Sequence, residues 1–355
     1  MALIEFTNRG LFCSQGNFYI DPWQPVDHAL ITHGHSDHAR AGSRNYLCHP
    51  HTKPVLQLRL GDGNYQTTEW GESHFINNVR VSFHPAGHIL GSSQIRLEYK
   101  GEVWVVSGDY KTENDGISGA FEPVRCNTFI TESTFGLPIY RWKPQHEVYA
   151  DICRWIERNK RDGKTSILIA YALGKSQRVL DAIKDIAGER IYAHGAICNI
   201  HETLVNAGIA NIRHLPTPRR IAPDVSKDEL RGSVVIAPPS AESSPWIKRF
   251  TPYSIGICSG WMQVRGNQRR KNADAGFALS DHCDWSSLLS AVSATGASMV
   301  YATHGFQSAF SRYLNESGIG AAEVKTEYGV ETEEAGTEEA GTPLEENNDE
   351  APAYD

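Results

Sequence analysis

The segment Ala29–Ala39, ALITHGHSDHA, constrains this chain more than any other: an apolar strand pattern runs directly into His33, His35, Asp37 and His38. Four side chains of metal-binding type within six positions carry a heavy solvation cost on folding unless something binds them. Two apart on extended backbone, His33 and His35 point the same way and can chelate one ion, while Asp37 and His38 turn toward a neighbouring one. A fold containing this segment must end a strand at a site and bring further ligands to it from distant sequence.

Three other segments share the design, a strand ending in a ligand-type residue beside Gly or Ser: PAGHILGS with His88, WVVSGDY with Asp109 and VYATHG with His304. The seven groups allow His33, His35 and His88 on one divalent ion, Asp37, His38 and His304 on the other, and Asp109 between them. Such a set leaves room for a hydroxide between ions about 3.5–4 Å apart, which is hydrolytic chemistry. Zinc is the expected metal, with manganese as the alternative.

The surrounding pattern is that of an α/β protein with an interruption. Over the first 140 residues short β-type runs (NFYID, HALITH, VRVSFHPAGH, SQIRLEYKG, EVWVVSGD, NTFITEST) alternate with Gly, Pro and Asn turns, the spacing of a mixed sheet with little helix. From Tyr149 the period changes. An amphipathic helix to Lys160 is followed by strand TSILIAYAL, helix KSQRVLDAIKDIAG, strand ERIYAH and helix ICNIHETLVNAG, an order that implies parallel strands. After strands SVVIAPP and SIGICSGWM, helix WSSLLSAVSATG, strand SMVYATHG and helix SAFSRYLNESG close the pattern. A lobe of roughly 130 residues is thus expected inside a larger core. The expected boundaries are 1–140 for the first part of the core, 141–275 for the insert, 276–328 for the second part and 329–355 for a tail.

Charge sharpens the reading. The net charge of −8 is concentrated in Gly329–Asp355, which carries ten carboxylates and no Lys or Arg; removing those ten leaves +2 for residues 1–328. A near-neutral body suits an anionic substrate, and the tail, with its EEAGT repeat, is expected to be disordered. No apolar run approaches the length of a membrane helix, and the start MALIEFTNRG has no signal-like pattern, so a cytoplasmic protein with no membrane partner is expected. Seven scattered cysteines without a C-x-x-C pair fit a reducing compartment.

Taken together, the ligand segments resemble the metallo-β-lactamase superfamily and, within it, the β-CASP nucleases. TESTFG resembles the acidic motif of that group and places its carboxylate at Glu132; ALSDHCDW resembles the motif whose histidine lies beside the scissile phosphate, His282; VYATHG resembles the last motif, His304. The long run GLFCSQGNFYIDPWQPVDHALITHGHSDHAR, with SGWMQVRG and ALSDHCDW, is most similar to bacterial ligase-associated DNA exonucleases. The resemblance covers residues 1 to about 328. It implies a metallo-β-lactamase αββα sandwich with an inserted β-CASP α/β lobe. It also implies a two-metal phosphodiesterase, a DNA exonuclease of repair working alongside a DNA ligase and helicase. RNA-processing ribonucleases of the same group are the alternative, because His304 occurs in that branch while SGW and SDH look like the DNA branch. A small-ester hydrolase and a non-catalytic nucleic-acid scaffold stand further off.

In roles, His282 is expected to protonate the leaving 3′-oxygen, oriented by Glu132, although His282 and His304 can exchange roles. Asp37 joins them as a candidate catalytic residue and ligand. Asp21, which resembles the first motif of the group, is expected to fix a ligand histidine from behind, the plain alternative being a strand-end turn before Pro22. Lys175 and Ser176, at the start of a helix after Gly174, are candidates for a phosphate contact, against a capped helix with a solvated lysine. Trp261 with Arg265, Arg269 and Arg270 of RGNQRRK is a candidate grip on a strand and one stacked base, against a solvated loop. His49 and His51 mimic a ligand pair but have no third partner in sequence, so a surface loop is expected.

Overall fold

The computed structural model describes residues 2–186, 188, 190–222, 225–264, 273–324 and 326. Two sheets face one another. The first runs in the order β1 (Glu5–Thr7), β2 (Gly10–Cys13), β3 (Phe18–Ile20), β4 (His28–Leu30), β5 (Asn45–Cys48), β6 (Asn64–Thr67). The second contains β7 (Ser73–Ile76), β8 (Val79–Pro85), β9 (Ser93–Tyr99), β10 (Glu102–Val106), β11 (Thr128–Ser133), β18 (Met299–Gly305) and β19 (Gly320–Glu323), ordered β19-β18-β11-β10-β9-β8-β7.

Strand alternation explains the layering. Trp104, Val106 and Ile130 face inward and pack with Val81, Phe83, Ile95 and Leu97 against Leu11, Phe18, Ile20 and Leu30 of the first sheet. Val105, Phe129 and Val300 face the other way and bury Trp285, Leu288, Val292, Phe310 and Leu314, residues of the helices α6 (Trp285–Thr295) and α7 (Gln307–Glu316). Behind the first sheet, Leu56 of α1 (Lys53–Leu60) packs with Ala29, Ile31, Tyr46 and Cys48. The result is a helix–sheet–sheet–helix sandwich, as the resemblance implied. The sequence pattern had not marked α1, which opens with Pro54 in its first turn, where a missing N–H costs nothing.

A third sheet completes the mixed α/β architecture. Its strands β12 (Thr165–Ile169), β13 (Ile191–Ala193), β14 (Arg219–Arg220), β15 (Val234–Ala237), β16 (Tyr253–Cys258) and β17 (Ala275–Phe277) are ordered β14-β13-β15-β12-β16-β17 and every pairing is parallel. Helices α2 (Gln145–Arg161), α3 (Lys175–Ile183), α4 (Gly195–Asn206) and α5 (Lys227–Leu230) belong to the same stretch. Near-continuous apolar runs such as TSILI read as buried parallel strands, and all five residues of β12 are buried. This lobe interrupts the second sheet between β11 and β18, which nevertheless pair in parallel, Ile130 opposite Tyr301 and Glu132 opposite Thr303.

The topology gathers one set of strand ends. β10, β11 and β18 are mutually parallel, and β8 shares their direction because β9 runs antiparallel to both β8 and β10. Their C-terminal ends carry His88, Asp109, Glu132 and His304, while β3 and β4, parallel in the facing sheet, deliver Asp21 and the His33–His38 loop. Gly108 lets the sheets close here: at φ +56° it lies where a Cβ would sit 2.7 Å from the Thr32 side chain.

Candidate metal centre and its acid–base pair

Asp109 lies at the middle of the site. One carboxylate oxygen is 3.5 Å from His33 Nε2, 3.5 Å from His38 Nε2 and 3.7 Å from His88 Nε2; the other is 2.7 Å from His304 Nε2. His33, His35, His88 and Asp109 form one compact ligand group and His38, Asp109 and His304 a second, so Asp109 is shared. Asp37 is at the rim, partly exposed, its carboxylate 3.6 Å from His38 Nε2.

The hydrogen bonds behind the ligands determine what the ring nitrogens offer in front. His88 Nδ1 lies 2.9 Å from the carbonyl of Asp281 and can only donate there, which leaves Nε2 as a lone pair. His35 Nε2 faces the carbonyl of Leu173 at 3.3 Å, which in the same way frees Nδ1. Those two lone pairs, His35 Nδ1 and His88 Nε2, stand only 3.1 Å apart. Thr32 donates its hydroxyl to Asp21 at 2.5 Å, so it accepts from His33 Nδ1 at 3.1 Å, and the buried His33 Nε2, which has no hydrogen-bond partner among the described residues, points its lone pair toward Asp109. Lone pairs crowded round a carboxylate repel one another unless a cation sits among them. The donor set fits divalent ions, with histidine nitrogens and carboxylate oxygens of the kind zinc prefers.

Asp21 sits at φ +43°, and its carboxylate accepts from Thr32 N at 2.8 Å as well as from the Thr32 hydroxyl, and meets His38 Nδ1 at 2.8 Å. It therefore fixes two ligand histidines, His38 directly and His33 through Thr32. Burial opposes a charge on His38, yet Asp109 and Asp37 in front and Asp21 behind hold its pKa well above the ordinary histidine value. Burial, then His38, pushes His33 well below it, and burial, then His282, does the same to His88. A bound cation would replace the proton that the carboxylates otherwise hold on His38. Asp21→Ala is expected to weaken metal retention roughly 10- to 100-fold, measured by chelator competition; unchanged retention would make Asp21 a turn residue.

Beside these groups lies a buried histidine–carboxylate pair. His282 Nδ1 meets Glu132 Oε2 at 2.8 Å, and Glu132 is itself held by the backbone N–H of Tyr110 at 2.8 Å and the hydroxyl of Thr134 at 2.5 Å. The His282 ring centre is 4.6 Å from that of His88. Tyr110, Thr134 and Asp281 carry no signal in sequence beyond lying within two residues of Asp109, Glu132 and His282. Trp142 adds two further supports, its ring N–H donating to the carbonyl of His282 at 2.9 Å and its backbone N–H to Asp284 at 3.0 Å.

The expected substrate contacts fare differently. Lys175 and Ser176 are both buried rather than solvated: Lys175 Nζ lies 3.4 Å from Asp281, and the Ser176 hydroxyl donates to the carbonyl of Ala172 at 2.6 Å. The helix start is closed further by Gln177, which accepts from Gly174 N at 2.6 Å. Trp261 is half-buried in an aromatic group, 4.9 Å from Phe135, which also approaches His282 at 6.1 Å. Arg265, Arg269, Arg270 and the 329–355 tail lie outside the described residues. His49 is not on a surface loop but buried and stacked on Trp70 at 4.1 Å; burial, then His51, pushes its pKa down to about 3.

No family model matches the chain. A probable DNA ligase of Opitutus terrae is 30% identical over 318 residues, covering 88% of this chain and 30% of that protein. Endoribonuclease YSH1 of Gibberella zeae is 25% identical over 253 residues, 57% of this chain and 30% of that protein. An RNase J-like protein of Methanocaldococcus jannaschii is 25% identical over 220 residues, 52% of this chain and 51% of that protein. The chain therefore spans between about a third and a half of the length of these curated relatives. In fold it is similar to a protein of unknown function from Enterococcus faecalis, with a TM-score of 0.56 at 10% identity over 85% of this chain and 80% of that one.

Proposed function

Because the chain belongs to the β-CASP branch of the metallo-β-lactamase superfamily, we propose that it hydrolyses phosphodiester bonds of nucleic acid, as a DNA exonuclease working beside a DNA ligase. The observation that carries this reading is the Asp109-centred cluster with the His282–Glu132 pair next to it. His33, His35, His88 and Asp109 would hold one divalent ion, and Asp37, His38, His304 and Asp109 a second. Bound there, such ions supply Lewis acidity toward a phosphoryl oxygen and lower the pKa of water toward neutrality.

The chain's own residues do the rest. An alkoxide is a poor leaving group, so a proton must be delivered to it, and His282 can carry that proton on Nε2 while Glu132 holds Nδ1. Burial of both partners keeps the pair aligned and excludes competing water. Beside His282 is a cavity of about 240 Å³ lined by Lys111, Thr112, Glu113, Trp142 and Lys143 among others, which offers room for part of a strand. The DNA preference rests on the ligase relative, whose match covers most of this chain. The ribonuclease reading draws on His304 and on the YSH1 and RNase J-like relatives.

The metal-loaded protein, given end-labelled linear single-stranded DNA, circular single-stranded DNA and RNA of the same sequence, is expected to degrade linear DNA fastest and leave the circle intact. Circles cut as fast as linear strands would establish an endonuclease. RNA degraded in preference to DNA would establish the ribonuclease.

A further inference from the structure

Arg178 is the largest of the fully buried side chains among the described residues, and it comes from the inserted lobe, on α3. A guanidinium has five N–H donors in a rigid fork, and all five have partners. Nε donates to Asp115 at 2.7 Å; Nη1 to the carbonyl of Ser280 at 3.0 Å and the carboxylate of Asp281 at 2.8 Å; Nη2 to the carbonyls of Gly87 at 3.2 Å and His88 at 2.9 Å. The acceptors lie on three separate segments outside the lobe's sheet. One segment contains the ligand His88 and another ends at His282. The carbonyl of Asp281 is also what orients the His88 ring. Lys175, one turn earlier on α3, and Lys111, which donates to the Ser280 carbonyl at 2.9 Å, complete the grip.

We propose that Arg178 is a positioning residue that fixes His88 and His282 relative to each other, so that the inserted lobe sets the geometry of the hydrolytic site. The inference rests on the hydrolytic reading above. A buried cation held only for stability needs charge partners; here Asp115 and Asp281 supply them, and burial, which would raise their pKa values, is outweighed by Arg178 on the first and by Lys175, then Arg178, on the second. The three carbonyls are different, because each belongs to a residue in or beside the site. A lysine at 178 keeps the charge but has three donors on a flexible stem against five acceptors, so at least two of them lose their partner and the planar fork that spans the three segments is gone.

The test uses the full chain loaded with Co(II), comparing wild type, Arg178→Lys and Leu204→Ala, the last a fully buried leucine on α4 of the same lobe that belongs to neither ligand group. Arg178→Lys is expected to lower kcat on linear DNA about 10²-fold, the cost of a misplacement near 1 Å, with KM unchanged and the visible Co(II) absorption shifted. Leu204→Ala is expected to lower Tm without either change. Wild-type kcat and spectrum in Arg178→Lys would overturn the proposal, as would the same kcat loss and spectral shift in Leu204→Ala. If Arg178→Lys does not fold, Asp115→Asn, which keeps the side-chain shape and removes one charge partner, is read in the same way. Should the hydrolytic reading fail, no variant cleaves nucleic acid, but the Co(II) spectrum still reports whether Arg178 positions His88.

Discussion

Asp109→Ala is expected to abolish hydrolysis more completely than any other single substitution, by about 10³-fold or more, since metal Lewis acidity is worth several kcal/mol and each 1.4 kcal/mol is tenfold. The reason is geometric. Its two oxygens reach His33, His38 and His88 on one side and His304 on the other, so it alone belongs to both ligand groups. Burial works against its charge, but His38, then His304 and His282, hold its pKa well below the usual carboxylate range, which favours the ionised form. The fold has less to lose: the sandwich interior is apolar and lies below the strand ends. Elemental analysis should find close to two divalent ions per wild-type chain and fewer in the variant, with circular dichroism unchanged. Chelation should remove wild-type activity and metal should restore it. Full activity in protein that holds one ion or none after metal loading would end the two-metal reading.

How legible the molecule was in its sequence depended on how local each signal was. The ligand segments were legible because each carries its own pattern, a strand and then a ligand beside a small residue, and because burying several unsatisfied imidazoles needs a cause. The βαβα order gave the parallel third sheet for the same reason, since periodicity is local. Strands of three or four residues such as Glu5–Thr7 and Asn45–Cys48 are too short to show a period, and pairing alone makes them strands. Lys175 and Ser176 misled because a polar helix start after glycine looks solvated in one dimension. The carboxylate that buries Lys175, Asp281, is more than 100 residues away, and the Arg178 partners Asp115 and Asp281 are 63 and 103 residues away. Nothing local distinguishes a lysine or arginine that will bind phosphate from one that will hold two halves of a site together.

His282→Ala is expected to slow cleavage of an unactivated DNA strand by about 10² to 10⁴-fold, the usual worth of a general acid, while metal content stays at the wild-type level. The argument turns on the pair's orientation. Glu132 is fixed by Tyr110 N and the Thr134 hydroxyl, and it binds His282 through Nδ1, so Nε2 is the nitrogen left to serve the leaving oxygen. A carboxylate behind the ring stabilises the imidazolium that must form before the proton is given up. A substrate whose leaving group is p-nitrophenolate needs no proton, and with it the variant should recover most of its loss. Glu132→Gln should fall between wild type and His282→Ala on the DNA strand and should likewise be rescued by the activated ester. The competing assignment is specific, because Asp109, Glu132 and His282 lie close enough to hold an ion themselves. Under that assignment His282→Ala loses about one ion per chain and the activated ester gives no rescue, because the missing element is then Lewis acidity and not a proton. Metal content and leaving-group dependence measured on the same protein sample therefore decide between an acid and a ligand, and with them whether His304 completes the second metal group or takes the acid's place.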